Sequence, residues 1–132
     1  LREGWKFGVG ESTGKTIAII GGGPAGLAAA CQLRRIGHGA VVFDDHKELG
    51  GMMRYGIPGY RTPRDVLDGE INRITEMGVE LRMGVKVGVD VSLEDLERDY
   101  DAVLFAMGAQ AGRGLPIPGW EATNCLSGVA FL

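Results

Sequence analysis

An α/β fold built on a mostly parallel sheet follows from three observations in this sequence of 132 residues. Short continuous apolar runs at 16–21, 40–43 and 102–106 carry the small and β-branched residues of strands buried on both faces. Segments with helical spacing or helix-start chemistry separate those runs. Strands that alternate with helices place the helices over both faces of a parallel sheet.

Composition narrows the function classes before any motif is read. Apolar residues make up 45% of the chain and charged residues 23%, as in ordinary globular proteins. The net charge is −3, and Lys and Arg form no stripe, which excludes a nucleic-acid groove. No apolar run approaches membrane-spanning length, and no signal segment opens the chain, so a cytoplasmic protein without a membrane partner is expected. Cys31 and Cys125 stand far apart without a CxxC pair, so neither a disulfide framework nor a metal site is expected. Glycine is the exception: 23 of 132 residues is more than twice the usual share of about 7%. Spread without a period, these glycines mark tight turns and close backbone approaches. The chain starts at Leu1 rather than Met and stops after GVAFL, which reads as an excerpt of a longer protein.

Residues 1–14 lack an apolar period and predict a linker or extended arm. The run 16–21 is the first strand. Residues 24–36 form a helix, with Pro24 in the first turn, where a missing N–H costs nothing, and Gly37 closing it. Residues 40–43 make a second strand that ends at Asp44 and Asp45. Strand, helix and strand within about 30 residues constitute a right-handed βαβ unit. Residues 45–62 show no period, yet GGMMRYGIPGYR is too apolar and aromatic for disorder. Thr62, Pro63, Arg64 and Asp65 then supply a hydroxyl cap, a first-turn proline and a first-turn carboxylate. Leu67, Ile71 and Ile74 give that helix its apolar face, and Gly78 its stop. Short strands are expected at 79–83 and 85–87 around a turn at Gly84, a capped helix at 92–98, and a further buried strand at 102–106. LPIPGW at 115–120 leads away from the sheet.

The junction of the first strand and helix carries the chemistry. Gly21, Gly23 and Gly26 spell G-x-G-x-x-G there. The first permits a tight turn, the second bares the backbone to a pyrophosphate, and the third lets the helix pack close to the strand. The helix opening at Pro24 and Ala25 offers free N–H groups and the positive end of its dipole to phosphate. About 20 residues on, Asp44 ends the second strand where a carboxylate accepts ribose hydroxyls. Its charge opposes a 2′-phosphate, so this turn is not where NADPH is expected. Together these features predict a Rossmann-like dinucleotide site. FAD and NAD share this much. A second glycine pair, Gly50 and Gly51, followed by a long irregular apolar stretch, favours FAD, whose ribityl chain and ring need protein along their length. Met52, Met53 and Tyr55 fit either that lining or a small core under the loop.

The strings GGGPAG, VVFDD and ELGGMMRYGIPGYRTP, with AMGA and LPIPG, resemble the FAD-binding domain of the NADPH-dependent glutamate synthase small-subunit family and the related flavin domain of dihydropyrimidine dehydrogenase. The resemblance implies a Rossmann-like three-layer FAD-binding domain over 15–114, of which this is the first segment, with 115–132 connecting toward an NAD(P)H domain. In that family hydride passes from NADPH to FAD, and single electrons continue through iron–sulfur centres to a partner subunit or domain. NADPH or NADH and the iron–sulfur centres belong to parts outside this chain, whose cysteines do not match the cluster motifs. The resemblance implies pyrophosphate at Gly21, Gly23, Pro24, Ala25 and Gly26, and ribose at Asp44 or its neighbour Asp45. It implies cofactor contacts along Gly50, Gly51 and Met52, a further FAD contact at Arg61, and adenine against the backbone of Val87. Gly108 and Ala109 match the turn near the flavin. Two positions depart from the family: Asp44 stands where Glu is usual, and Met107 replaces a Thr.

Arg54 and Arg64 are expected as solvated charges, and His38 and His46 as structural or exposed residues. No catalytic side chain is expected, because the flavin carries the chemistry. The isolated chain is expected to hold FAD weakly and to lack activity. Two other classes stay open: a small NAD-binding regulatory module, and a scaffold with a degenerate site that contacts an electron-transfer partner.

Overall fold

The computed structural model describes residues 7–131. Its strands are β1 (Thr16–Ile20), β2 (Gly39–Asp44), β3 (Glu80–Met83) and β4 (Ala102–Phe105). Its helices are α1 (Pro24–Arg35), the single turn α2 (Met52–Tyr55), α3 (Arg64–Thr75), α4 (Leu93–Asp99) and the single turn α5 (Gly128–Phe131). The strands form one sheet in the order β3-β2-β1-β4, and every neighbouring pair is parallel. The chain steps outward from β1 to β2 and β3, then returns to the far side of β1 as β4. The strand order therefore reverses at β1, which opens a crevice at the carboxyl ends of the strands.

Alternate side chains of β1 and β2 feed two separate cores. Ile19 and Val42 are fully buried against Leu27 and Ala30 of α1 and Leu67 and Ile71 of α3. On the opposite face Ala18, Ile20, Val41 and Phe43 pack on Leu96 of α4. Such a residue pattern, apolar on both faces, forces a three-layer arrangement, and each large side chain buried this way contributes about 1.5–3 kcal/mol. The predicted three-layer, parallel α/β class is the observed one.

Local chemistry explains how the helices are held. Pro24 opens α1, and Arg34 and Arg35 stand in its last turn, complementing the helix dipole. The described part of the predicted arm, residues 7–14, runs over that end. The N–H of Gly10 donates to the Arg34 carbonyl at 3.1 Å and that of Thr13 to the Gly37 carbonyl at 3.0 Å, so backbone bonds tie the arm to the end of the helix. Residues 1–6 of that arm, and residue 132 of the predicted connection, lie outside the described residues. His38 is structural, its Nδ1 lying 2.5 Å from the Thr13 hydroxyl.

Five expectations need correction. Residues 85–87 form no strand: the Asp90 carboxylate takes the N–H of Lys86, the Val91 carbonyl takes that of Gly88, and Val87 makes only an isolated bridge to Val91. Local turn chemistry there consumes the donors a strand would have offered. Helix α3 opens at Arg64 with Pro63 itself in the cap position, so Thr62 stands one residue too early and no side chain caps the helix. The irregular stretch 45–62 contains the turn α2. The strand β4 is an edge rather than a buried strand: it pairs only with β1, and Leu104 and Phe105 are 39% and 57% exposed. Finally, Arg54 and Arg64 are not solvated charges but clamps on the apolar loop. Arg54 donates to the Leu49 carbonyl and pairs with the Asp68 carboxylate, while Arg64 donates to the Met53 and Ile57 carbonyls at 2.9 and 2.8 Å.

Two outcomes follow from this packing. Because Leu96 is the buried α4 side chain at the centre of this face's core, Leu96→Ala is expected to cost about 2–5 kcal/mol in urea unfolding, with the α1 side of the core unaffected. Tyr100 meets the Phe43 ring edge-on at 5.9 Å. Burial, helped by the Glu80 carboxylate, raises its hydroxyl above the ordinary value of 10.0. The folded state thus favours the neutral phenol, so this contribution is complete below the ordinary tyrosine value and is lost as pH rises through the raised one. A pH series of unfolding curves in the alkaline range is expected to show a smaller loss of stability for Tyr100→Phe than for the unsubstituted chain.

Candidate functional site

The chain leaves β1 at Gly21, whose φ of 110° is closed to residues with side chains. A Cβ there would also strike the Ala106 carbonyl. The next residue is the anchor of the turn. The Gly22 N–H donates to Asp44 Oδ2 at 2.6 Å, and the Gly22 carbonyl accepts the Gly50 N–H at 2.9 Å. Gly26 sits one helical turn on, where a Cβ would collide with the Gly21 carbonyl oxygen. Gly23 differs: the nearest atom to a Cβ there is the Gly51 Cα, at an ordinary 3.7 Å. Gly21 and Gly26 are therefore required by the chain's own backbone, whereas nothing among the described residues crowds a Cβ at Gly23.

The second glycine pair docks on the first turn. Gly51 has φ of 50° and caps α2, and a Cβ on it would lie 2.9 Å from the Gly23 Cα. Two glycine turns thus meet backbone to backbone, with the apolar loop held behind them by Arg54 and Arg64.

Asp44 is 9% exposed. Its second oxygen accepts the His46 N–H at 2.8 Å. Asp45 is half exposed, and His46 Nδ1 lies 2.9 Å from an oxygen of each acid. The His46 ring stands 4.5 Å from that of Tyr55 on α2. Asp44, Asp45 and His46 bring three ligand-type atoms together, but Asp44 already spends its oxygens on backbone N–H groups.

These groups border one cleft of about 470 Å³ at the carboxyl ends of the strands, a volume typical of ligand sites. The sheet order sets its layout. Val85, Lys86 and Val87 follow β3; Asp44 ends β2, with Asp45 and His46 after it; the glycine turn follows β1; and Met107, Gly108, Ala109 and Gln110 follow β4. With strands about 4.8 Å apart, these stations span about 14 Å in a line. The first turn of α1 lies at the centre with no carboxylate and no side-chain cap, so its free N–H groups favour an anion.

Of the predicted site residues, Gly21, Gly23, Pro24, Ala25, Asp44, Asp45, Gly51, Met52, Val87, Gly108 and Ala109 line the cleft. Gly26 and Gly50 lie behind the turn and shape it. Arg61 is exposed on the loop and does not line the cleft. Lys86, Gln110 and His46 line it without having been predicted. The position of His46 two residues past the strand-ending acid was the one available signal, and its hydrogen bonds to Asp44 fit the structural reading. A second hollow of about 310 Å³, almost wholly apolar, lies between α1 and α3 behind Gly50. Among the described residues no helix is long and apolar enough to cross a membrane.

Comparison with known proteins agrees with this geometry. The chain matches the family described as pyridine nucleotide-disulphide oxidoreductase over residues 15–131. It is 48% identical over 120 residues to the glutamate synthase (NADPH) small chain of Mycobacterium tuberculosis, covering 91% of this chain and 25% of that one. The NADP(+)-dependent formate dehydrogenase subunit beta of Moorella thermoacetica is 45% identical over 123 residues, covering 92% of this chain and 17% of that one. The solved structure of Mycobacterium tuberculosis FprA in complex with NADPH superposes with a TM-score of 0.78 at 28% identity, covering 89% of this chain and 28% of that one. This chain therefore spans a quarter or less of the length of these two curated relatives.

The contrast between glycines gives a direct test. Gly26→Ala is expected to cost at least about 2 kcal/mol, because backbone must move to admit the Cβ. Gly23→Ala, at an open position with an ordinary φ of −78°, is expected to cost less than about 1 kcal/mol. Urea unfolding of the two variants side by side measures both.

Proposed function

The chain belongs to the pyridine nucleotide-disulphide oxidoreductase family, and we propose that it grips the ADP half of FAD within a longer NAD(P)H-dependent flavoprotein. It resembles the FAD-binding region of the glutamate synthase small chain and of FprA-like flavoproteins, families that transfer electrons through FAD. The single observation that carries the reading is Gly23. The protein itself leaves room for a side chain there, so the glycine is explained by a group that must come close to bare backbone.

Each station of the cleft then has a task. The first turn of α1 and the Gly23 backbone hold the pyrophosphate, with Pro24 and Ala25 shaping the approach. The acid pair at the end of β2 meets the adenosine ribose, and its charge repels a 2′-phosphate, so NADPH binds elsewhere. The backbone at Val87 faces adenine. Gly51, Met52, Gly108 and Ala109 run along the remainder toward the flavin, and Arg61 is kept as a contact made outside the cleft. When bound, FAD supplies hydride acceptance from a nicotinamide and release of single electrons. The chain's own residues bind and orient it, and no side chain here is assigned a proton-transfer role. Cys31 is buried in α1 and Cys125 is exposed, both free, so the reading sends electrons out of this chain rather than to a disulfide within it. The acceptor is an iron–sulfur-bearing segment or subunit, in a cytoplasmic enzyme drawing on the NAD(P)H pool. The two curated relatives serve different reactions by name, so neither substrate is carried over.

Titrating the chain with FAD and following flavin fluorescence tests this. Weak, reversible binding is expected, with NAD+ displacing FAD poorly and Gly23→Ala reducing FAD affinity at least about tenfold, or about 1.4 kcal/mol. NAD+ competing as well as FAD would favour a regulatory NAD module. No effect of either nucleotide would favour a scaffold.

A further inference from the structure

We propose that Met52 and Met107 form a peroxide-sensitive modification site, and that their oxidation to sulfoxides weakens the hold of the cleft on its anionic cofactor. The inference rests on the reading that the cleft takes the ADP half of FAD, and adds a regulation to that site. The chain has five methionines. Met77 is 6% exposed, and Met53 and Met83 pack against the core on the α1 and α3 side of the sheet. Met52 and Met107 are exposed, at 44% and 48%, and both line the cleft. Exposed methionine is therefore confined to the wall of one site.

The two residues flank the glycine turn. Met52 opens α2 directly after Gly51, whose backbone docks on Gly23. Its thioether lies over Gly56, where a Cβ would strike Met52 Cε and stand 3.3 Å from Sδ. Met107 follows β4 on the other side of the turn, where a Cβ on Gly21 would lie 2.9 Å from the Met107 Cα. Hydrogen peroxide is the oxidant that suits exposed thioethers. A sulfur lone pair attacks one peroxide oxygen, the O–O bond breaks, and the departing hydroxide takes the proton of the transferred oxygen and leaves as water. Each sulfur is oxidised by two electrons, and one peroxide is reduced. The apolar side chain becomes a polar sulfoxide. Its oxygen accepts hydrogen bonds and has none to donate, so beside a pyrophosphate it offers no bond and repels the charge.

The test treats the whole ligand-free chain with dilute hydrogen peroxide, maps the sulfoxides by peptide mass spectrometry, and titrates the product with FAD by flavin fluorescence. Met52 and Met107 are expected to oxidise first, with Met53, Met77 and Met83 still intact. FAD affinity is then expected to fall about tenfold, the scale of one polar contact turned unfavourable. Methionine sulfoxide reductases, one for each epimer, are expected to restore it. In the double variant Met52→Leu/Met107→Leu the same peroxide dose is expected to change FAD affinity less than about twofold from that variant's own untreated value. Oxidation of Met53, Met77 or Met83 as fast as the cleft pair would overturn the inference, and so would unchanged FAD affinity once both sulfoxides are mapped. A loss that the reductases do not reverse, or that persists in the double variant, would overturn it as well. In each of these cases the untreated chain still binds FAD, and the parent reading stands. An untreated chain that does not bind FAD would instead bring down the parent reading, and this inference with it.

Discussion

The Asp44 carboxylate accepts the N–H of Gly22 and the N–H of His46 from a position 9% exposed, and the rest of the site depends on that clasp. A charge taken out of water survives only with strong donors around it. Two backbone N–H groups supply them, each such charge-assisted bond being worth about 1.5–3 kcal/mol. The clasp ties the end of β2 to the turn after β1. Gly50 completes it from the other side by donating to the Gly22 carbonyl. The middle glycine of GGG, which the G-x-G-x-x-G signature leaves unspecified, is thus where β1, β2 and the second glycine pair are joined.

That joint separates what the fold needs from what a ligand needs. Gly21 and Gly26 answer to neighbouring carbonyls, and Gly51 answers to Gly23. Of the signature's three glycines, only Gly23 answers to no close contact among the described residues. A turn already shaped by internal bonds spends little of its binding energy on becoming ordered, which is the usual advantage of preorganisation. The apolar loop behind it is held in the same manner, with Arg54 and Arg64 satisfying carbonyls that an irregular segment would otherwise leave unpaired.

The parts legible in the sequence were those with local causes. β1 and β2 are continuous apolar runs because both faces are buried, and α1 has Pro24 and Gly37 at its ends, so these elements and their parallel pairing were readable. Ser92, which accepts the Asp95 N–H at 3.0 Å, likewise marked α4 correctly. The misses share a cause: each was decided by a partner distant in sequence or by competing turn bonds. An apolar run announces a strand but not its place in the sheet, so β4 was read as buried. Val85 and Val87 have strand composition, yet Asp90 and Val91 take the backbone donors. Arg54 and Arg64 looked like surface charges because nothing local reveals which carbonyls a long side chain will meet. Most of the candidate site was legible through its glycines and acids. That His46 lines the cleft was not, since nothing local shows which residues past the strand end face it.

The Asp44 clasp requires that the turn be formed before a ligand binds. Amide hydrogen exchange in the ligand-free chain reads this at Gly22. The Asp44 clasp predicts that the Gly22 N–H is protected to the level of the central β1 amides, and that Asp44→Ala abolishes this protection while leaving Ile19 protected. Exchange at Gly22 as fast as at Gly59 in the exposed loop would contradict it.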